Sequence, residues 1–405
     1  MYEKRYGRRE VKQMRILLTN LTKMVGDTGG LAKVACAFAN EMYKRGHDVS
    51  LVYSDVRKGD FYYPLDKKVT TYDLCHYGDG EISFPLHLKV KREILRAFSK
   101  AKARAVNDEF IKAYLLPNLQ EILEWTQPEC IISFQPAASK ALLCDIGTKV
   151  PVITMSHGDP EDYFYTYPPE EIPALVKSAV NQVLLPSFSK HITDRLPEAR
   201  TVVIGNAIPQ FSEQAALDMH KERYTIVFVG MLTKNHKRPH LLVESFAKLA
   251  TTYPDWHVEL WGAEDRKTYK AELELLIKRN NLENRVHFMG TTEQVPEVLQ
   301  KCDIFAFPSA CEGFGLALAE AMSMGLPAVG YRNCPAVNEL IEDGKNGILC
   351  EDGVLPFAGA LETLMKDRNL RIAMGNAGKE AMKQYAPEKI WDSWEQVIKE
   401  VSRLS

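Results

Sequence analysis

Two patterns alternate along the chain. Short apolar runs bounded by glycine or polar residues read as buried strands, and longer stretches with apolar residues every third or fourth position read as helices. Arg15 to Thr19 is the first such run. The loop Gly26-Asp27-Thr28-Gly29-Gly30 follows, and then Leu31 to Arg45 carries Leu31, Val34, Ala35, Phe38 and Met42 at helical spacing. Gly46 stops that helix, and Val49 to Tyr53 forms the next strand. This is a βαβ unit, which demands a parallel sheet. Further strands are predicted at 130–134, 151–155, 182–185 and 201–204, so the first domain ends near Ile204.

The same rhythm restarts at Tyr224. Strands are predicted at 224–230, 257–261, 285–289, 303–307 and 328–331, with helices at 240–252, 267–280, 295–301, 316–324 and 337–342. Strands alternating with helices in both halves predict an α/β protein made of two doubly wound parallel sheets. Such domains bind ligands with the loops at the carboxyl ends of their strands. The expected division is an N-terminal extension at 1–13, a first domain at 14–205, a second at 206–386 and a closing helix at 387–405. That last helix has Ile390, Trp394, Val397, Ile398 and Val401 on one face and is expected to pack back toward the first domain.

Composition narrows the function. A chain of 405 residues calls for two cores rather than one. The net charge of −2 gives no field that would gather nucleic acid. Its eight cysteines form no Cys-x-x-Cys pair, which argues against a disulfide framework or a zinc site and fits a reducing cytoplasm. No apolar run approaches the roughly 18 residues of a membrane span, and the charged first twelve residues lack the apolar core of a secretory signal.

The chemistry concentrates at 307–327, where a buried strand ends at Pro308 and a loop leads into a helix closed by Gly325 and Pro327. Gly313 and Gly315 leave backbone N–H groups bare at the helix start, a place that attracts anions. Glu312 in the loop and Glu320 in the helix stand seven residues apart, and carboxylates suit ligands rich in hydroxyl donors. This segment resembles the two-glutamate motif of the GT-B glycosyltransferases, in retaining family 4, also called glycosyltransferase group 1. The run Asn333 to Leu349 is similar to the same family, and the resemblance runs across nearly the whole chain from Met14 and is dense from Val229 to Leu349.

The resemblance implies two Rossmann-like domains facing across a cleft, a nucleotide-sugar donor held by the second, and an acceptor held mainly by the first. It implies no obligatory metal and no cofactor beyond the nucleotide-sugar itself. By position, Glu312 faces the donor sugar, Glu320 the ribose, and the backbone of Gly313, Phe314, Gly315 and Leu316 the sugar and diphosphate. The basic loop Val229 to Pro239 carries Lys234, Lys237 and Arg238, which suit a departing diphosphate. Lys237 matches the lysine of the family. Met231 stands where the family has arginine, and Lys234 or Arg238 is the candidate to replace that charge. His236 and His240 lack a third ligand candidate and read as polar loop residues.

Gly29 and Gly30 are the acceptor-binding candidates. His157, in Met155-Ser-His-Gly-Asp159, matches a histidine that reaches the donor sugar or acceptor in the family, and a run of aromatics follows it at Tyr163, Phe164, Tyr165 and Tyr167. Asn206 matches an interdomain asparagine and reads as a hinge position. The loop at Gly290 and Thr291 is placed near the base. A basic amphipathic stretch at 89–104, with Val90, Ile94, Leu95 and Phe98 among its cations, suits either an anionic membrane surface or a solvated helix face.

The expected activity is retaining transfer from a UDP-sugar, with GDP-mannose second, to a glycan or lipid-linked acceptor in surface polysaccharide or glycolipid assembly. The expected location is the cytoplasm or the inner face of the cell membrane. Two other readings stand beside it: a catalytically weak sugar-binding partner subunit, for which Met231 speaks, and a sugar-nucleotide epimerase of similar fold, against which the glutamate pair speaks.

Overall fold

A computed structural model describes residues 13–78 and 80–403. The expected N-terminal extension lies, apart from residue 13, outside the described residues. The chain divides into two compact units, one of residues 1–204 with 391–405 and one of residues 205–390.

The first unit holds a seven-stranded sheet. Its strands are β1 (Arg15–Asn20), β2 (Asp48–Tyr53), β3 (Thr70–Asp73), β4 (Cys130–Ser133), β5 (Val152–Met155), β6 (Val180–Val183) and β7 (Thr201–Val203). They pair in the order β3-β2-β1-β4-β5-β6-β7, all parallel. The central strands are apolar almost throughout because helices cover both faces of a parallel sheet. Ile16, Leu17, Leu18, Ile131, Ile132 and Ile153 are accordingly sealed from solvent. Phe38, on the helix Gly30–Lys44, meets the rings of Trp391 and Trp394 edge-on at 5.6 and 4.9 Å, which seats the C-terminal helix in this unit. Arg45 reinforces that seat through Asp392 and Glu395.

The second unit holds six parallel strands: β8 (Tyr224–Val229), β9 (Trp256–Trp261), β10 (Val286–Gly290), β11 (Ile304–Phe307), β12 (Ala328–Tyr331) and β13 (Gly347–Cys350). Their order is β10-β9-β8-β11-β12-β13. In each sheet the strand order reverses once, at β1/β4 and at β8/β11. Connections leave those neighbouring strands in opposite directions, so a crevice opens beyond their carboxyl ends.

The strands that sequence reading omits, β3 and β13, both lie at sheet edges. An edge strand packs against one neighbour only, and Thr70-Thr-Tyr-Asp73 buries none of its residues fully. The basic stretch at 89–104 also differs from expectation. It is not one helix but parts of two, Leu86–Arg96 and Lys100–Phe110, because Ser99 turns the chain and caps the second by accepting from the Lys102 N–H at 3.3 Å.

Candidate functional site

In the second unit the loops that follow β8 and β11 leave the switch point side by side. The Ala310 N–H donates to the His236 carbonyl at 2.8 Å and ties the two loops together. This brings Lys237 to Glu312, and the ammonium donates to both carboxylate oxygens at 2.7 and 2.8 Å. The pair is mostly buried, at 18% and 7% side-chain exposure. The Lys237 ammonium also lies 4.9 Å from the centre of the Phe307 ring. A cation and an anion held in this way have a strong tendency to stay paired, since either alone would be left without water or a counter-charge.

The helix Leu316–Ser323 begins at this place. Gly315 is left-handed, with φ 82° and ψ 52°, a conformation that a residue with a Cβ adopts only with strain. No side chain caps the helix start, and its first turn carries no acid. The Phe314 side chain turns inward and meets Tyr385 edge-on at 5.0 Å, so its backbone rather than its ring is available in the loop. Glu320 is buried within the same helix, at 8% exposure.

Several predicted residues have other tasks. Arg238 adopts a left-handed φ of 51°, unusual for a non-glycine residue and placed directly before Pro239. Its guanidinium donates to the Pro308 carbonyl at 2.9 Å, the Ser309 carbonyl at 3.2 Å and the Asp352 carboxylate at 2.9 Å, and it lies over the Tyr331 ring. These bonds offset the backbone strain, and they make Arg238 a brace for the two loops rather than a free cation for a ligand. Lys234 is likewise engaged elsewhere, 2.5 Å from Glu272, with both side chains more than half exposed. Met231, where the family's charge is missing, has a side chain 42% exposed. His240 shares a 2.7 Å hydrogen bond with the Tyr269 hydroxyl. Gly290 ends β10, the far edge strand, and its carbonyl accepts from the Gly262 N–H at 2.7 Å. Gly262 must be glycine, because a Cβ there would stand 2.0 Å from the Gly230 carbonyl oxygen. Thr291 follows on the exposed side of that loop.

A loop within the run Asn333 to Leu349, to which the sequence assigns no role residue by residue, lies beside the site. Ala336, fully buried, has φ 68° and ψ −44° at the start of the helix Val337–Leu340. Such a conformation costs on the order of 1–3 kcal/mol. Cys334, two residues earlier, is close enough to Glu312 and Lys237 to sense their charges, although burial is the larger cause raising its thiol pKa. An alanine carries no sequence mark of positive φ, so nothing in the chain signals this turn.

In the first unit the acceptor candidates look different from expectation. The Gly29 N–H is not bare: it donates to the Asp27 carboxylate at 3.1 Å. An acid already stands at the start of the helix Gly30–Lys44, where a phosphate would have to displace it. His157 stacks on Phe134 with ring centres 5.5 Å apart. Its Nε2 is buried without a hydrogen-bond partner among the described residues. Burial pushes its pKa down to about 4, so the ring is neutral at pH 7. Of the aromatics that follow, Tyr163 donates to Ser156 in the core at 2.9 Å and Tyr167 lies under Arg104.

Comparison with known proteins agrees with this geometry. Residues 209–381, which contain both loops and the glutamate pair, match the glycosyl transferases group 1 family. An uncharacterized glycosyltransferase of Haemophilus influenzae is 24% identical over 92% of this chain and 97% of its own. An alpha-1,4-N-acetyl-D-galactosaminyltransferase of Campylobacter jejuni, named for a diphospho-undecaprenol-linked substrate, is 24% identical over 93% of this chain and 96% of its own. Among solved structures, a mutant of S. aureus TarM in complex with UDP, Fondaparinux and alpha-GlcNAc-glycerol superposes with a TM-score of 0.72. It is 14% identical and covers 95% of this chain and 100% of its own. The chain is thus a glycosyltransferase of the GT-B fold, carrying a group 1 glycosyl transferase domain in its second unit.

Proposed function

We propose that the chain transfers a hexose, with retention, from a nucleotide-diphosphate sugar to a glycan or lipid-linked acceptor, UDP-sugars being the favoured donors and GDP-mannose the second. The observation that carries this reading is the uncapped start of the helix Leu316–Ser323 beside the Lys237–Glu312 pair. The bare amides and the ammonium suit a diphosphate, and Glu312 suits the hydroxyls of the attached sugar. As the glycosidic C–O bond breaks, negative charge grows on the leaving phosphate, and Lys237 stabilises that charge most in the transition state. The departing phosphate oxygen takes the proton of the acceptor hydroxyl on the same face, which gives retention without a protein nucleophile. The UDP of TarM and the lipid-linked substrate of the Campylobacter relative support the choice of donor and acceptor class.

We also propose that the chain works at the inner face of a membrane. Among the described residues no helix is long and apolar enough to cross one. However, Leu86, Val90, Ile94 and Phe98 recur every fourth residue and are all exposed, Phe98 at 82%. Lys89, Lys91, Lys100 and Lys102 flank this row. Leu95, in contrast, packs against the core. An exposed apolar row among cations suits an anionic lipid surface.

A thermal-shift panel of UDP, GDP and their sugars tests the donor reading. A ligand at 100 times its dissociation constant stabilises by about 2.7 kcal/mol. UDP compounds should shift the transition most. The absence of any shift across the panel would sink the proposal.

A further inference from the structure

The first unit contains a cavity of about 400 Å³, within the usual size range of small-molecule sites. It opens where Thr22, Ser54 and Gln135 follow β1, β2 and β4, at the switch point of the sheet. Neither Gly29, Gly30 nor His157 lines it. Phe84, Phe110, Ile111 and Leu115 give it apolar walls.

Besides Asp55, whose oxygens accept from the Met24, Val25 and Arg57 N–H groups, two carboxyls line this space, Asp108 from the helix Lys100–Phe110 and Glu171 from the 3-10 turn Pro169–Glu171. They are 9% and 3% exposed. Asp108 Oδ2 and Glu171 Oε2 are fully buried; among the described residues no N–H or hydroxyl donates to either, and the two carboxyls have only each other as hydrogen-bond partners there. Arg92 also lines the cavity, with its Nε buried without a hydrogen bond, 3.6 Å from a Glu93 carboxylate oxygen, while Nη1 donates to Asn107 at 3.1 Å. Buried polar atoms left in this state are costly unless something fills them.

We propose that this cavity is the acceptor subsite and takes one uncharged, hexose-sized sugar ring, its hydroxyls meeting Asp108, Glu171 and Arg92 and its C–H face lying against the apolar walls. Sugar hydroxyls both donate and accept, and so does a carboxyl pair that keeps one proton. Burial pushes both carboxyls above the usual range, Asp108 to about 6 and Glu171 to about 8, so the pair keeps a proton near pH 7. Lys23, Arg57 and Arg104 line the space too, but they already face Asp27, Asp55 and Thr166, so an uncharged ring suits the lining better than a phosphate. The assignment rests on the transferase reading and moves the acceptor away from Gly29 and Gly30, where Asp27 already stands.

The test titrates the full-length chain with methyl glycosides of glucose, galactose, N-acetylglucosamine and N-acetylgalactosamine, followed by saturation-transfer NMR, with UDP titrated in parallel. The wild type should bind at least one glycoside in the millimolar range. Leu115→Trp, which fills the cavity, should abolish that binding. Asp108→Asn, which removes the ionised member of the pair, should weaken it at least about tenfold, as for loss of a hydrogen bond to a charged group. Both variants should bind UDP as the wild type does. No glycoside binding by a wild type that binds UDP overturns the cavity assignment and leaves the donor reading intact. Glycoside binding without UDP binding does the reverse. Wild-type glycoside affinity in Leu115→Trp overturns the assignment, as does displacement of the glycoside by inorganic phosphate. Should Leu115→Trp fail to fold, unchanged affinity in Asp108→Asn overturns it.

Discussion

The two units place their candidate sites at the same topological position and build them in opposite ways. In the second unit two short segments, Val229–Arg238 and Phe307–Leu316, supply almost everything: a bound cation, its carboxylate and an uncapped helix start. In the first unit the corresponding crevice draws on residues near 22, 54, 92, 108, 135 and 171, with Arg92 and Asp108 supplied by the helices Leu86–Arg96 and Lys100–Phe110. The first arrangement suits a ligand part that never changes, a diphosphate with its sugar. The second suits a part that differs from one enzyme to the next, because each contributing segment can vary without disturbing the others.

The sharpest way to break this contrast is to remove the carboxylate of the second unit. Glu312→Ala should lower kcat by about 10²–10³-fold, the scale of losing a group that acts in the transition state, with UDP affinity changed only a few-fold. Steady-state kinetics with UDP-sugar beside a UDP titration separates the two. Wild-type turnover would remove Glu312 from the chemistry. Lys237→Met strands the buried Glu312 charge, an effect of about 3–5 kcal/mol. The melting temperature should therefore fall by on the order of 10 °C, and Lys237→Met combined with Glu312→Gln should recover part of the loss. Strictly additive losses in the double variant would show that the pair contributes nothing as a pair.

In the first unit the effects are smaller. Phe98→Asp should reduce binding to vesicles containing anionic lipid by about tenfold, the scale of one large side chain losing its buried surface. Co-sedimentation measures it, and unchanged binding would point to a solvated helix face. Glu171 gives the smallest effect and a pH signature. Its pKa is raised in the folded chain to about 8, mainly by burial. The folded state therefore holds more protons than the unfolded one above the ordinary carboxylate range, and stability contributed by this group is lost as pH rises through about 8. Glu171→Gln should flatten that loss, raising the melting temperature relative to wild type by a few degrees at pH 9 and less at pH 6. Parallel pH–stability curves for the two proteins would contradict the buried, proton-holding state.

This contrast also explains what the sequence shows. The parallel sheets are legible because central strands covered on both faces must be apolar throughout, as at 15–20 and 304–307. Edge strands such as Thr70–Asp73 escape because that demand lapses there. The site of the second unit is legible because its groups fall within two short segments and its glycine has a backbone reason. Arg238 misleads because a cation in a loop looks the same whether it meets a ligand or, as here, two carbonyls and Asp352. Ala336 and the Asp108–Glu171 cavity are invisible for a different reason. One depends on a strained backbone that alanine does not advertise, the other on burial that only the folded chain creates.

Titration of UDP onto the wild-type chain and onto folded Lys237→Met addresses the donor site most directly. The account predicts that the wild type binds and that the variant binds at least about tenfold more weakly, as expected for loss of a charged partner to the diphosphate. Equal affinity for UDP in the two proteins would contradict it.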